Sequence, residues 1–191
     1  MTDKEIAFYE VFSNKFIKYL TSYLGNGYSI FFEHNKSLDT MLQNLRLQSG
    51  IDIVDDGVYI PKLKLDIVFL IVSPTKQTKL ILIEAKYLPQ LGLKDYSQLV
   101  GYLQVAKIID IGVLLLIQKG NSNTKLSNDF HEIVALKKLP MHWVIELQTT
   151  AEQHKFRTGI LHYIPQNGID WLNTTDIQGI SSFEDLITLI A

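Results

Sequence analysis

The fold is decided by residues 64–87, which read KLDIVFLIVSPTKQTKLILIEAKY. The segments 58–71 and 79–87 are rich in Ile, Leu, Val and aromatic residues, which favour β-strands. The link at 73–78 is Ser-Pro-Thr-Lys-Gln-Thr, and residues of this kind favour turns. The sequence therefore predicts an antiparallel hairpin built from the two apolar segments.

The register of this hairpin brings charged residues together. Residues that are equally far from the turn centre face each other across an antiparallel pair. If the turn is centred at Thr75, Asp66 lies 75 − 66 = 9 residues before it and Glu84 lies 84 − 75 = 9 residues after it. Lys86 shares the face of Glu84, because side chains at positions i and i+2 of a strand point the same way. Three charged groups are therefore expected at one end of an apolar hairpin.

This charged group has the chemistry of a metal site. Two carboxylates that are held close together repel each other unless a cation lies between them, and such oxygen ligands suit Mg²⁺, with Mn²⁺ as its substitute. We expect Asp66 and Glu84 to bind the ion and the backbone carbonyl of Ala85 to be a further ligand. The ion would polarise a phosphate and acidify a water, while Lys86 orients that water or stabilises the developing charge. The pattern therefore predicts phosphodiester hydrolysis.

The alternative for the same residues is an ordinary surface arrangement. Asp66 would sit at an exposed strand end, and Glu84 with Lys86 would form a surface ion pair, which stabilises a protein little. The apolar composition of both strands, the aligned register and the helix that follows favour the metal site.

The remaining segments complete an α/β pattern. Thr2 and Glu5 form a capping-box pattern at the start of an amphipathic helix predicted over 3–24. A helix predicted over 93–109 lies between the hairpin and an apolar strand at 113–117, which indicates a βαβ crossover. Further elements are expected as a strand at 28–33, a helix capped by Ser37 through residue 47, a helix at 129–138, strands at 142–147 and 161–164, and a terminal helix that starts at 181–185. This order predicts an α/β fold, with a central mixed sheet flanked by helices, in which residues 1–191 form a single domain.

Charge limits how the chain can work. Its 18 basic and 20 acidic residues give a net charge of −2, whereas proteins that bind DNA unaided usually carry a basic excess. Another chain is therefore expected to supply much of the DNA contact. A local basic rim around the site is also expected from Lys62, Lys64, Lys76, Lys79, Lys86 and Lys94.

Other composition features narrow the location and the type of metal site. The chain has no cysteine, no apolar run of membrane-spanning length and no secretory signal at its start. We therefore expect a cytoplasmic protein without membrane contact. The five histidines show no ligand spacing and are expected at the surface or at the core edge.

The residues Leu65-Asp66, the intervening hairpin and Glu84-Ala85-Lys86 together resemble the signature of the PD-(D/E)xK nuclease superfamily. The proline that usually precedes the aspartate in that family is absent, and Leu65 stands in its place. This departure bears on backbone shape rather than on metal ligands. The resemblance implies a restriction-endonuclease-like core and a magnesium-dependent endonuclease that cleaves DNA.

The resemblance covers a core at 58–117 and implies further site residues. An acidic residue on the first helix often completes the metal site in this family, and Glu10 is our candidate because it lies at the edge of the apolar face. Glu5 is the rival, with a competing role in the capping box. Gln98 and Tyr102 match the Q-x-x-x-Y pattern of some branches, which implies that Gln98 hydrogen-bonds a metal-bound water or a phosphate, supported by Tyr102. Packing at the core edge is the alternative for both.

Within the resembled superfamily, size and charge favour one kind of enzyme. A small, slightly acidic chain without a DNA-reading module is similar to the small cleavage subunit of a heterodimeric type IIS restriction endonuclease. Such a subunit cuts one strand of double-stranded DNA, while a larger partner subunit recognises the sequence and cuts the other strand. Two alternatives stay open: a homodimeric Holliday-junction resolvase or repair nuclease, and a catalytically silent module that assembles a DNA complex.

Overall fold

A computed structural model describes residues 3–54, 58–120, 122–135, 147–148, 153–154, 157–172 and 179–191. Its helices are α1 (Asp3–Ile6), α2 (Tyr9–Leu24), α3 (Leu38–Ser49), α4 (Leu93–Val105), α5 (Asn128–Ala135) and α6 (Phe183–Ile190). Its strands are β1 (Ser29–Ser37), β2 (Lys64–Val72), β3 (Thr78–Leu88), β4 (Ile111–Gln118), β5 (Leu147–Gln148), β6 (Gln153–His154), β7 (Arg157–Ile164) and β8 (Gly168–Trp171). None of the helices within these ranges is both long and apolar enough to cross a membrane.

Six of the strands form one mixed sheet in the order β1-β2-β3-β4-β7-β8. The strands β1, β2 and β3 are antiparallel neighbours, whereas β3, β4 and β7 are parallel to one another, and β8 returns antiparallel to β7. Strands β5 and β6 pair with each other in a separate two-stranded sheet. The expected α/β architecture, a mixed sheet flanked by helices, is confirmed.

Helices cover both faces of the six-stranded sheet. On one face, α2 packs through Phe12 and Phe16 together with α6. On the other face lie α3 and α4, the latter through Leu99 and Leu103. Because both faces of β2 and β4 are buried, their sequences are continuous apolar runs instead of alternating apolar and polar residues. A charged group within these strands is therefore held in an apolar environment.

The hairpin of β2 and β3 has the predicted register. Its pairs run from Val72↔Thr78 beside the turn to Ile67↔Ile83, and the residue numbers in each pair sum to 150. A turn centred at Thr75 requires this sum, so the predicted alignment of the two strands is confirmed.

The segment after the hairpin forms the predicted βαβ crossover. Helix α4 connects β3 to the parallel strand β4 and packs so closely that a Cβ added at Gly112 would overlap the side chain of Leu103. The helix ends before the expected residue 109, because the chain must turn to enter β4. Asp110 ties this turn to β3 by accepting the backbone N–H of Leu80 at 2.8 Å.

Several predicted boundaries are wrong. The expected helix over 3–24 is interrupted at residues 7–8 and forms α1 and α2. The expected strand at 28–33 is longer and forms β1, which pairs with β2. Strand β2 begins at Lys64 and not at residue 58, since Pro61 has no N–H to donate to a ladder.

Helix starts follow the sequence more closely. Ser37 precedes α3 as expected, although its hydroxyl hydrogen-bonds the hydroxyl of Thr40 at 2.9 Å and makes no cap to the backbone. Ser182 caps α6 by accepting the backbone N–H of Asp185 at 3.0 Å, as the sequence predicts. Both serines therefore precede the helix that the sequence predicts after them.

The outcomes for the last third of the chain are mixed. The expected strand at 161–164 is part of β7, while β8 was not expected. The expected helix at 129–138 corresponds to α5, and its final three residues lie outside the described residues. The expected strand at 142–147 also lies outside them, apart from Leu147 in β5.

Candidate active site

The hairpin opens at the end opposite its turn, and this opening creates the site. The paired ladder of β2 and β3 ends at Ile67↔Ile83, so Asp66 and Glu84 come at the next position. The Oδ2 atom of Asp66 accepts the backbone N–H of Ala85 at 2.8 Å. The Asp66 carboxylate therefore occupies the place that a backbone carbonyl of β2 would hold in a continued ladder.

A second carboxylate also takes the place of a β2 backbone acceptor, two residues further along β3. Glu5, in α1, accepts the backbone N–H of Tyr87 through Oε2 at 3.0 Å. Alternate residues of a strand point their N–H groups to the same side, so Ala85 and Tyr87 both donate toward the side on which the pairing of β2 with β3 has ended. The backbone of β3 thus anchors both Asp66 and Glu5.

Glu84 and Lys86 form a buried ion pair beside Asp66. The Nζ atom of Lys86 donates to Glu84 Oε1 at 2.6 Å. Glu84 is 2% exposed and Asp66 is 3% exposed, which excludes the alternative of a surface arrangement. The Oε2 atom of Glu84 is buried and has no hydrogen-bond partner in the described part of the chain. One carboxylate oxygen in this group is therefore still without a donor or a cation.

Burial and mutual repulsion hold both carboxyl groups toward their protonated forms. Burial raises the pKa of Asp66, and the N–H of Ala85 acts in the opposite direction. Burial and then the charge of Asp66 raise the pKa of Glu84 to about 7, even though Lys86 lies against it. A bound cation would stabilise the ionised form of both groups.

Lys86 stays charged in this environment. Burial alone lowers the pKa of its ammonium group, but the charge of Glu84 and its hydrogen bond, followed by the charges of Asp66 and Glu5, outweigh that effect and raise the pKa. The site therefore holds a protonated lysine between acids. An ammonium group carries three N–H donors, which leaves donors beyond the one given to Glu84.

Tyr9 joins the acids of the site from helix α2. Its hydroxyl donates to Glu5 Oε1 at 3.1 Å, and its side chain is fully buried. Burial, then the charges of Asp66 and Glu5, raise the pKa of Tyr9, so the phenol stays a donor at neutral pH. From the sequence alone, Tyr9 is expected only as part of the amphipathic helix over 3–24. The signal that could have found it is the spacing of four residues between Glu5 and Tyr9.

The structure corrects the choice of Glu10 as the acid from the first helix. Glu10 is exposed, whereas Glu5 is 7% exposed and contacts the site. Glu10 follows Tyr9 directly, and one residue turns a helix by about 100°, so both cannot face Asp66. The expected capping box of Thr2 with Glu5 lies partly outside the described residues, because these begin at Asp3.

Gln98 and Tyr102 pair with each other on α4. The Nε2 atom of Gln98 donates to the hydroxyl of Tyr102 at 2.8 Å, at the surface of the helix. Among the described residues, no hydrogen bond joins either side chain to Asp66, Glu84 or Lys86. The spacing of the two residues thus gives the expected neighbours, and their contact with a substrate stays a prediction.

The expected rim of six lysines is only partly at the site. Lys76 lies in the turn, and Lys79 pairs with Asp110 at 3.4 Å near the turn end of β3. Lys79 precedes Glu84 by 84 − 79 = 5 residues, which is about 17 Å along a strand. Proximity in sequence therefore placed Lys76 and Lys79 at the wrong end of the hairpin.

The donor set fits magnesium when backbone and water oxygens complete it. The described residues contain no group of three or more His, Asp or Glu side chains arranged to hold a metal ion. Magnesium usually binds one or two carboxylates and keeps several waters, so Asp66 and Glu84 suffice as protein anchors. The carbonyl of Ala85 points to the same side as its N–H, toward Asp66, which suits it as a further donor. Both oxygens of Glu5 already accept hydrogen bonds.

Neither a protein-family model nor a curated protein nor a solved structure matches the chain.

Proposed function

We propose that this chain is a magnesium-dependent endodeoxyribonuclease with a restriction-endonuclease-like core of the PD-(D/E)xK type. The observation that carries the proposal is the convergence of buried Asp66, Glu84 and Lys86 at the point where the hairpin opens. Burial of two acids and a lysine is energetically costly, and proteins retain such groups chiefly where they are used. The unpartnered Oε2 of Glu84 supplies a position for a cation.

The residues of the site have distinct roles in the proposed reaction. Asp66 and Glu84 would hold the magnesium ion, with the carbonyl of Ala85 as a further donor. A bound magnesium ion would polarise the phosphate and acidify the attacking water. Lys86, fixed by Glu84, donates to that water or to a phosphoryl oxygen and stabilises the charge that develops there. The water oxygen bonds to phosphorus and gives its proton to solvent, the P–O bond to the leaving nucleotide breaks, and the leaving oxygen takes up a proton from solvent.

Tyr9 and Glu5 act on this machinery by positioning it. Glu5 bonds Tyr87 and Tyr9, while Asp66 bonds Ala85, so two acids and the end of β3 are tied into one arrangement. Positioning of this kind is what a catalytic group needs to remain within reach of its substrate. We therefore assign Glu5 and Tyr9 a supporting role without direct contact with the phosphate.

The net charge of the chain favours a function that depends on a partner subunit for DNA binding. A net charge of −2 is low for an enzyme that must hold double-stranded DNA unaided. We propose that the chain is the cleavage subunit of a heterodimeric type IIS restriction endonuclease and cuts one strand, while a larger subunit reads the site. A homodimeric junction resolvase should instead present a strongly basic face.

Cleavage of supercoiled plasmid by the purified chain tests the proposal. We expect slow nicking without sequence preference in Mg²⁺ or Mn²⁺, none in chelator, and none with Asp66→Ala. Asp110→Asn is the matched control, because Asp110 also accepts a β3 backbone N–H but lies at the turn end. Sequence-specific double-strand cleavage by the chain alone would contradict the need for a partner. Preferential cutting of four-way junctions would favour the resolvase, and equal activity of wild type and Asp66→Ala in the system reconstituted with the partner would favour the silent module.

A further inference from the structure

A second polar cluster lies on the same edge of the sheet as the candidate active site. The Nζ atom of Lys125 donates to Gln118 Oε1 at 2.7 Å, and His162 Nε2 lies 2.7 Å from the same oxygen. Gln118 ends β4, His162 lies in β7, and Lys125 belongs to the connection after β4. An amide oxygen can only accept hydrogen bonds, so His162 carries its proton on Nε2.

The strand register fixes where this cluster lies relative to the active site. Lys86 pairs with Leu116, and Leu116 pairs with His162, so the three residues form one row across β3, β4 and β7. Paired residues of neighbouring strands share a face, which puts His162 on the face of Lys86. Two strand spacings separate them, or about 10 Å. Ligands of α/β sheets bind at this carboxyl-terminal edge of parallel strands.

Lys125 is held in place without a counterion. Besides Gln118, its ammonium group donates to the carbonyl of Ser122 at 3.2 Å, which leaves one of three N–H donors. It is half-buried, and none of the ion pairs among the described residues includes it. A partly buried charge that lacks a partner favours binding of an ion of opposite sign. The site therefore suits an anion.

A second cation lies at the same edge of the sheet, on the face of Tyr87, which is opposite to the face of Lys86 and His162. Lys119, the first residue after β4, is exposed, and its ammonium group lies 5.8 Å from the centre of the Tyr87 ring. Its backbone N–H donates to the carbonyl of Leu88 at 3.0 Å, which fixes the start of the connection beside β3. Asp170, exposed on β8 and paired with His162, marks the acidic limit of the region.

We propose that Lys125, positioned by Gln118 and His162, binds with Lys119 the phosphodiester backbone of the nucleic acid that occupies the active site. This inference rests on the proposed function for its substrate class. Successive phosphates of one strand advance by about 3.4 Å along the duplex axis, so the two strand spacings of about 10 Å between Lys86 and His162 correspond to roughly three nucleotides. The region supplies local positive charge that the acidic total conceals.

DNA binding by the full chain tests this proposal independently of cleavage. Fluorescence anisotropy with a labelled duplex in chelator, over a series of salt concentrations, should show about tenfold weaker binding for Lys125→Ala and a smaller loss for Lys119→Ala. The salt slope should fall by about 0.9 for each lysine removed. Lys18→Ala is the control, because Lys18 is exposed on α2, on the opposite face of the sheet. Equal affinity of Lys125→Ala and Lys18→Ala would overturn the proposal.

The imidazole of His162 provides a readout that a purely structural role would not move. Burial and then the charge of Lys125 lower the pKa of His162, while Asp170 acts in the opposite direction. A phosphate at Lys125 would offset the lysine charge, so NMR titration should show this pKa rising when duplex is added. His162→Gln assigns the signal. An unchanged pKa at saturating duplex, or the same rise with inorganic phosphate at equal concentration, would overturn the backbone assignment.

These two measurements separate the inference from the proposed function. If Lys125→Ala shows the expected loss of DNA affinity but no preparation cleaves DNA, the nuclease is refuted and the nucleic-acid-binding edge remains. Metal-dependent cleavage with a binding constant that Lys125→Ala does not change would refute the edge and leave the nuclease.

Discussion

The two ends of the β2–β3 hairpin carry the same kind of ion pair in different surroundings. At the turn end, Lys79 and Asp110 lie 3.4 Å apart with side chains 40% and 37% exposed. At the open end, Lys86 and Glu84 lie 2.6 Å apart with side chains 16% and 2% exposed. Water screens the first pair, which contributes little to stability, whereas the second keeps its charges in an apolar environment. Burial, and not the type of residue, separates a surface contact from a candidate active site.

The largest difference between the two ends should appear in cleavage. Replacing Lys86 with Ala removes the donor nearest Glu84, and we expect the cleavage rate to fall by roughly 10²- to 10³-fold, as for other groups that stabilise developing charge. Lys79→Ala should leave the rate within about twofold. Initial rates of plasmid nicking in Mg²⁺ measure both. Equal losses in the two variants would show that the open end has no special role.

A smaller difference should appear in the pH dependence of stability without metal. The pKa of Glu84 is about 7 in the folded chain against an ordinary value of 4.5, so the folded state holds this proton more tightly than the unfolded state. The stability from that proton is fully present below pH 4.5 and is lost as the pH rises through 7. Urea denaturation across this range should show the decline in wild type and in Lys79→Ala.

One substitution and one addition to the same experiment identify the group responsible for the decline in stability. Glu84→Gln, which cannot ionise, should flatten the decline, and added Mg²⁺ should reduce it in wild type by binding the ionised form. A decline that persists unchanged in Glu84→Gln would assign it to another group and contradict the buried pair as its source.

The smallest effect should come from the supporting hydrogen bond of Tyr9. Tyr9→Phe removes the donor to Glu5 Oε1 and should lower the free energy of unfolding by about 1 kcal/mol, with a several-fold loss of cleavage rate. Glu10→Gln is the matched control on the adjacent, exposed position, and we expect no change in either quantity. A loss of cleavage in Glu10→Gln that exceeds the loss in Tyr9→Phe would restore Glu10 to the site.

The sequence alone predicts the structure correctly wherever local rules determine it. The register of the hairpin follows from a turn centred at Thr75 and two apolar strands, and it brings Asp66, Glu84 and Lys86 together without further information. The crossover through α4 likewise follows from a helix between two apolar strands. These features depend on residues that are close in the chain.

The parts that could not be predicted depend on contacts between distant segments. Glu5 reaches the site because the first helix breaks at residues 7–8 and α1 docks on Tyr87, 87 − 5 = 82 residues away. His162 joins the edge of the site only through the pairing of β7 with β4. Lys79 was wrongly predicted at the rim of the site, because each residue of a strand adds about 3.4 Å between positions that are near in sequence. Helical and strand periodicity carry no information about such docking.

The proposed function requires that the open end of the hairpin binds a divalent metal ion through Asp66 and Glu84. A crystal soaked in Mn²⁺ and measured at the manganese absorption edge tests it most directly. We expect anomalous density at roughly 2.2 Å from carboxylate oxygens of both residues, with the Ala85 carbonyl within reach. Anomalous density at Asp110 or elsewhere, with none between Asp66 and Glu84, would contradict it.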